Sequence, residues 1–257
     1  MFVEYTFFPV GQGLFSCGKL YTDKNKKPFV WIYDCGTSNK MSVLKSEVKN
    51  LNTITFDLVA ISHFDQDHIN GLKYLLANKR VKRLMLPFLS DQQKIEELLV
   101  YCYAILQHQY DIEEKLTVDI INFLDNPARF VSNLIANSSI NEKIEILLVP
   151  DRFYSTDEMK YNEDEIIYRY REDETLDISN VSCKIIDPHI PVICNHIWEF
   201  VPYNDVEAIE KVLSKMPADE IKEYFNEIKL SATNICSLKV NDDKKEALES
   251  LITNVEH

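Results

Sequence analysis

The 257-residue sequence predicts an α/β fold, and three segments carry that prediction. Residues 58–61 form a short apolar run with the length of a buried central strand. Helical spacing of apolar residues follows directly at residues 69–76 and returns over residues 91–108. Residues 144–149 again have the pattern of a buried strand. Strands therefore alternate with helical segments, as they do in sheets that carry crossover helices.

The first 36 residues predict three strands joined by turns. The strands are rich in β-branched and aromatic residues, while Gly11 and Gly13 indicate a hairpin turn and Pro28 closes a second turn. The predicted strands are Phe2–Phe8, Leu14–Tyr21 and Phe29–Tyr33, and the sequence Asp34-Cys35-Gly36 ends the third.

The rest of the chain predicts a helical insertion between β elements. We expect a single domain over residues 1–257 with the insertion at residues 91–140, broken before Pro127. Residues 155–177 are highly charged and are expected to form an exposed excursion with a hairpin. The predicted strands are 82–86, 144–149, 181–187 and 197–201, and the predicted helices are 91–108, 117–136, 205–213, 218–227 and 244–255.

Composition narrows the function classes. The net charge is −13, which weakens a nucleic-acid-binding interpretation because such proteins usually present a basic face. The densest basic run, residues 79–83, is expected to be a solvated face, and contact with a polyanion stays open as the alternative. No apolar run reaches membrane-spanning length, so no membrane partner is expected.

Compartment follows from the N-terminus and the cysteines. Residues 1–4 lack the basic stretch of a signal peptide, and the six cysteines show no CxxC spacing. We therefore expect reduced thiols and a cytoplasmic protein.

The stretch from Ser62 to Leu72 places metal-competent side chains directly after the predicted buried strand. His63, Asp65, Asp67 and His68 fall within six residues, and helical spacing begins just beyond them. In open α/β sheets, ligands bind where a strand ends and a helix begins. The sequence therefore predicts a ligand site at this junction.

The spacing within the cluster suggests two metal ions. His63 and Asp65 are two residues apart and point the same way in an extended turn, so they can share one ion. Asp67 and His68 are neighbours that diverge, so they can bind a second ion nearby. Two ions about 3.5–4 Å apart make a hydrolytic site. The alternative is structural, with Asp67 as a helix N-cap and His68 on the helix surface.

This segment resembles the HxHxDH motif of the metallo-β-lactamase superfamily, with Asp65 where the second His usually stands. The resulting HxDxDH variant, followed by Gly71-Leu72, is similar to the hydrolase domain of ComEC-type competence proteins and to metallo-hydrolases of anti-phage loci. Two upstream stretches agree, in the same order as in the family. Residues 10–13 resemble the family's VGQGD turn, although Leu14 replaces the Asp, and residues 32–36 resemble its apolar-Asp-x-Gly strand end.

The resemblance covers residues 1–90 and implies an αββα sandwich. It also implies that Asp34 braces the metal loop by hydrogen bonding, whereas a simple turn role for Asp34 stays open. In the site so implied, His63 and Asp65 hold one divalent ion, Asp67 and His68 hold the other, and Asp67 also orients the nucleophile. The carboxylate at Asp65 shifts the preference from zinc towards manganese, magnesium or iron, and we expect two ions of zinc or manganese in a complete site.

The ligands of the family's second half are missing. No Gly-Asp pair follows residue 90 and no His-His-Gly occurs, which leaves His189 and His196 as candidate extra ligands. Each also fits a surface or core histidine. Either the chain stops partway through the fold or it is a short form that has lost the site, and we favour the first explanation.

The chemistry predicted for a complete site is phosphodiester hydrolysis. Metal-activated water would attack a nucleic acid or a nucleotide, with a role in phage defence implied by the resemblance. A catalytically degenerate module that binds a partner protein is the alternative. The third possibility is an unrelated α/β domain whose acidic loop is structural.

Overall fold

A computed structural model describes residues 1–22, 27–108, 118–136, 140, 143–163, 166–172, 174–194, 198–202, 218–238 and 241–256. The chain divides into two compact units. Unit 1 comprises Met1–Phe88 and Val131–Asp205, and unit 2 comprises Leu89–Phe130 and Val206–His257.

Unit 1 contains all of the described strands. These are β1 (Phe2–Phe7), β2 (Phe15–Tyr21), β3 (Phe29–Cys35), β4 (Thr55–Phe56), β5 (Leu58–Ala60), β6 (Arg80–Val81), β7 (Arg83–Pro87), β8 (Ile144–Val149), β9 (Lys160–Glu163), β10 (Ile166–Tyr170), β11 (Leu176–Ile178), β12 (Val181–Ile185), β13 (Val192–Cys194) and β14 (Trp198–Phe200). Its helices are α1 (Met41–Asn50), α2 (Gln66–Ile69) and α3 (Leu72–Asn78). Unit 2 contains α4 (Asp91–His108), α5 (Val118–Asp125), α7 (Ala218–Ser237) and α8 (Asn241–Glu256), while α6 (Pro127–Ile135) crosses the division.

The described part of unit 1 is organised around a large mixed sheet with strand order β1-β2-β3-β5-β7-β8-β12-β11. Strands β3, β5, β7, β8 and β12 run parallel to one another, and the outer strands pair antiparallel. The predicted α/β class is confirmed. Because parallel strands end on the same side, the residues that follow β3 and β5 meet at one edge of the sheet.

A second, smaller sheet packs on one face of the large sheet. Its order is β14-β13-β10-β9, and the two sheets share one hydrophobic cluster. The large sheet supplies Leu20, Phe29, Trp31, Leu58, Ala60, Met85, Leu147 and Val149, and the small sheet supplies Ile166, Tyr168, Val192 and Cys194. This sheet-on-sheet packing agrees with the predicted sandwich.

The other face of the large sheet is also buried. Side chains alternate along a strand, so Val30 and Ile32 point away from Trp31, yet both are buried. Because β3, β5 and β7 are successive parallel neighbours and such crossovers are right-handed as a rule, α1, α2 and α3 are expected on one side of the sheet. The buried Leu44 and Leu75 of these helices identify them as the cover of that face.

Unit 2 is built from helices alone in its described part. The predicted insertion, residues 91–140, is helical where it is described, but its helices α4 and α5 pack with the C-terminal helix α7. The apolar faces of the two segments explain this pairing, since Ile95 and Leu98 are buried together with Phe225 and Ile228. The insertion bounds of residues 91–140 and the single domain over residues 1–257 stay predictions.

Most predicted elements are confirmed, with local differences. The hairpin of β1 and β2 forms with Gly11 and Gly13 at positive φ, and β8 matches its predicted bounds. The predicted continuous helix at residues 69–76 is wrong: Asn70 and Gly71 separate α2 from α3 because the Gly71 amide donates to the Cys35 carbonyl over 2.8 Å. The predicted helix 205–213 lies outside the described residues.

None of the described helices combines the length and the apolar character needed to cross a lipid bilayer.

Candidate metal centre

The predicted metal loop lies at the carboxyl edge of the large sheet. It leaves β5 after Ala60 and enters α2 at Gln66, beside the end of β3. Within this break between a buried strand and a short helix, Ser62 and His63 are half-buried, Phe64 is buried and Asp65 is exposed. The loop therefore occupies the place where α/β sheets bind ligands.

Asp34 anchors this loop from below. It is fully buried near the end of β3 and has a positive φ of 56°. Its Oδ1 accepts the Ser62 amide over 2.7 Å, and its Oδ2 accepts the Ser62 hydroxyl over 2.7 Å and contacts His68 Nδ1 at 2.8 Å. This is the bracing geometry that the resemblance implies for Asp34; its role toward a metal stays a prediction.

The four predicted donors are brought together on this anchor. His63 Nε2 lies 3.2 Å from Asp65 Oδ2, which agrees with the expectation that these two residues point the same way. The predicted divergence of Asp67 and His68 is not seen, because Asp67 Oδ2 lies 3.9 Å from His68 Nε2. The two imidazole rings lie 3.8 Å apart between centroids. The loop thus forms two imidazole–carboxylate pairs side by side.

The electrostatics of the outer pair are mutual. The hydrogen bond with Asp65 raises the pKa of His63 above its ordinary value, against the opposing effect of burial. The same hydrogen bond lowers the pKa of Asp65. The imidazole and the carboxylate thus face each other, with Nε2 and Oδ2 3.2 Å apart, at a position where a cation could lie between them.

Two glycine-containing turns hold the backbone beneath the donors. A Cβ atom on Gly36 would lie 2.2 Å from the carbonyl carbon of Asp67, and one on Gly13 would lie 2.7 Å from its oxygen. The Leu14 amide donates to that same Asp67 oxygen over 3.1 Å. The three short motifs of the sequence thus meet in one place, and side chains at either glycine would push the loop away.

The structural alternative for the cluster does not match the observed geometry. Asp65, not Asp67, occupies the N-cap position of α2, and it makes no side-chain capping bond. Asp67 lies within the helix. The His68 side chain is 18% exposed rather than displayed on a helix surface.

Of the two candidate extra ligands, His189 lies within the described residues. His189 follows β12, three strands away from β5 in the sheet, and its Nδ1 lies 3.3 Å from buried Asp187. As an extra ligand it stays a prediction, and His196 lies outside the described residues. Cys35 is fully buried, and burial raises the pKa of its thiol well above the ordinary value, which disfavours the thiolate that metals bind.

The donor chemistry fits a divalent cation. Imidazole nitrogens and carboxylate oxygens suit zinc and manganese, and each imidazole has its far nitrogen, Nδ1, engaged by Ser62 or Asp34, as metal-binding histidines usually do. Among the residues that the structure describes, however, no three His, Cys, Asp or Glu side chains form a ready ligand group. The fit therefore rests on the two pairs.

Sequence reasoning missed two supports of the loop. Ser62 touches both histidines and Asp34, and its position between the buried strand and the first His was the available signal. Asn70 accepts the Thr37 amide and donates to the Thr37 carbonyl, at 3.1 and 2.7 Å. That reciprocal pair of bonds ties the break between α2 and α3 to the segment that follows β3.

The predicted solvated basic face at residues 79–83 is largely wrong. Lys79 is buried and donates to the Leu51 carbonyl over 2.7 Å. Lys82 pairs with Asp57 at 2.8 Å, and Arg83 pairs with Glu145 at 3.0 Å. Arg80 is the exposed residue among these.

Comparisons with known proteins give limited support. No family model matches the chain. A ribonuclease Z from Listeria innocua is 30% identical over 82 residues, which is 30% of this chain and 26% of that protein. The chain thus spans about a quarter of the curated relative's length. This match supports the resemblance to the metallo-β-lactamase superfamily; the ComEC-type branch stays a prediction.

A solved structure, a β-lactamase domain protein from Burkholderia ambifaria, is also similar. It is 13% identical, with a TM-score of 0.28, over 65% of this chain and 44% of that one. At this score the likeness decides neither fold nor function.

Proposed function

We propose that this chain carries the metal loop of a metallo-β-lactamase-type hydrolase that cleaves phosphodiesters. The observation that carries the proposal is the pairing of His63 with Asp65 and of His68 with Asp67 above buried Asp34. Side chains that only lay on the surface at the start of a helix would not be expected to form two such pairs.

Each residue has a definite task in this proposal. His63 and Asp65 would hold one divalent cation, and His68 and Asp67 would hold a second. When bound, the cations supply Lewis acidity that makes water nucleophilic at neutral pH. Asp67 would also orient the attacking water by accepting its hydrogen bond at Oδ2. Asp34 holds His68 in place and thereby fixes the direction of its Nε2.

A phosphodiester is the substrate class that suits this donor set. Two carboxylates beside two imidazoles provide hard oxygen ligands for ions that contact phosphate oxygens. The relative named ribonuclease Z supports the same substrate class. Nucleic acid and nucleotide both fall within the proposal, and a role in phage defence rests on the resemblance to anti-phage metallo-hydrolases alone.

The test combines metal content with hydrolysis of bis(p-nitrophenyl) phosphate. The chain is exposed to Zn²⁺ or Mn²⁺, desalted and analysed for bound metal. We expect stoichiometric metal and a hydrolysis rate that falls to background in Asp67→Ala. The matched control is Asp177→Ala, which removes an exposed carboxylate from edge strand β11 and should leave both readouts unchanged.

Two results would contradict the proposal. Undiminished hydrolysis in a folded Asp67→Ala variant would show that the loop is not the site. A chain that retains no metal, and whose stability is indifferent to chelator, would instead support the alternative of a degenerate module that binds a partner protein.

A further inference from the structure

We propose that Ser62 is a positioning residue that determines which ring nitrogen of His63 carries a hydrogen. Its hydroxyl donates to Asp34 and can then only accept from His63 Nδ1. Ser62 Oγ lies 2.7 Å from Asp34 Oδ2 and 2.8 Å from His63 Nδ1. The inference deepens the proposed function because it concerns which nitrogen faces the cation.

Counting protons fixes the direction of each bond. Asp34, as a carboxylate, can only accept hydrogen bonds, so the Ser62 hydroxyl must donate its proton to Oδ2. A hydroxyl has one proton, so Ser62 Oγ can only accept from His63 at the 2.8 Å contact. His63 Nδ1 therefore carries a hydrogen.

His68 reaches the same state without an intermediary. Its Nδ1 lies 2.8 Å from Asp34 Oδ2, closer than the 3.4 Å to Ser62 Oγ, so the Nδ1–H group donates its hydrogen bond to the carboxylate. One buried carboxylate thus sets both imidazoles, His68 directly and His63 through one hydroxyl. The lone pairs of both Nε2 atoms then face Asp65 and Asp67, which is the orientation that cation binding requires.

A competing contact makes the link through Ser62 necessary for His63. Asp65 Oδ2 lies 3.2 Å from His63 Nε2 and favours a hydrogen on that nitrogen instead. The Asp65 side chain is 53% exposed, whereas Asp34 is fully buried. Leaving two oxygens 2.7 Å apart without a proton between them inside the protein costs more than weakening a contact screened by water. The contact with Ser62 therefore keeps the hydrogen of His63 on Nδ1. Without the Ser62 hydroxyl, the contact with Asp65 should move that hydrogen to Nε2.

The experiment reads the imidazole tautomers directly in the metal-free chain. Long-range ¹H–¹⁵N correlation spectra of ¹⁵N-labelled protein, with His63→Gln and His68→Gln for assignment, distinguish the two nitrogens of each neutral ring. In the wild type we expect a hydrogen on Nδ1 of both histidines. In Ser62→Ala, His63 should switch to a hydrogen on Nε2 while His68 keeps its hydrogen on Nδ1.

Ser62→Thr is the matched control, because it retains the hydroxyl and should retain the wild-type pattern. The unchanged His68 signal reports that Ser62→Ala remains folded; if that variant does not fold, the wild-type spectrum alone decides. A hydrogen on Nε2 of His63 in the wild type, or a His63 tautomer that is insensitive to Ser62→Ala, would overturn the inference.

Metal binding separates this inference from the proposed function. If the tautomers are as expected and metal binds, Ser62→Ala should weaken Zn²⁺ affinity by about 10- to 100-fold, the usual effect of losing such a support. If the tautomers are as expected but no metal binds, the positioning role of Ser62 stands and the proposed function fails.

Discussion

Asp34 combines two properties that rarely occur together: a positive φ and a fully buried carboxylate. A left-handed backbone costs a non-glycine residue about 1–2 kcal/mol, although Asp tolerates it better than most residues. Three donors from Ser62 and His68 offset that cost. The strained conformation is therefore maintained by the contacts that position the loop.

Substitutions at Asp34 should separate these two contributions. Asp34→Ala should lower the free energy of unfolding by about 3 kcal/mol, because three donors lose their acceptor and the strain remains. Asp34→Gly loses the same bonds but relieves the strain, so its loss should be about 1 kcal/mol smaller. Urea denaturation measures both variants.

Asp57 provides the matched control for that comparison. It is also buried, accepts the Val30 amide over 2.8 Å and pairs with Lys82, but its φ is not positive. At Asp57, Gly should be no better tolerated than Ala. If Gly were no better than Ala at Asp34 as well, the backbone there would carry no strain.

The residues of the loop differ in how visible they were in the sequence. His63, Asp65, Asp67 and His68 are close along the chain, so spacing alone predicted that they would meet. The role of Ser62 depends on a carboxylate 28 residues earlier, which reaches it only because β3 and β5 pair in parallel. Local pattern carries no information about such a contact.

Helices and strands likewise differ in whether the local sequence or a contact with distant residues determines them. Strand β8 and the break before Pro127 follow from apolar runs and proline chemistry, and both were predicted. The break between α2 and α3 depends on the Cys35 carbonyl, and the pairing of α4 with α7 depends on residues more than 100 positions away. Neither feature could be inferred from periodicity. The spacing of apolar residues marks a buried helix face but does not say which distant residue will contact it.

The large and small sheets are joined by a polar cluster as well as by their apolar core. Glu145 of β8 accepts the Tyr168 hydroxyl of β10 over 2.7 Å and Lys184 of β12 over 2.9 Å, and it pairs with Arg83 of β7 at 3.0 Å. Burial by itself would raise the pKa of Glu145, but these bonds and charges outweigh it and hold the pKa below the ordinary value of 4.5.

This cluster predicts an acid-dependent stability. Because the pKa of Glu145 is lower in the folded chain, its contribution is fully present above pH 4.5 and is lost as the pH falls through the folded-state pKa. Glu145→Gln should therefore cost about 3 kcal/mol near neutral pH, since it leaves two buried cations uncompensated, and markedly less at pH values well below 4.5.

Urea unfolding of the two proteins across this pH range measures the difference. Glu199→Gln on β14 is the control, because that carboxylate is exposed and should show no such dependence. A cost for Glu145→Gln that does not change with pH would mean that the glutamate contributes by packing alone.

The net charge of −13 bears on how a substrate would approach the whole molecule. The basic run at residues 79–83 does not offset it at the loop, because Lys82 and Arg83 are paired with acids. Arg83 also begins β7, which places the run at the amino edge of the parallel strands, away from the carboxyl edge that bears the loop. A polyanion would therefore meet an electrostatic barrier rather than an attractive channel.

The salt dependence of cleavage should reveal that barrier. If the metal-loaded chain cleaves a single-stranded oligonucleotide, kcat/KM should rise as ionic strength increases from about 0.01 M to about 0.15 M, because the Debye length shortens from about 30 Å to about 8 Å. Bis(p-nitrophenyl) phosphate, with a single negative charge, should show a much smaller rise. Arg80→Gln, which removes the exposed cation of the basic run, should leave the slope unchanged. A steep fall in kcat/KM with salt, as basic nucleic-acid-binding proteins show, would instead reveal a local cationic path to the loop.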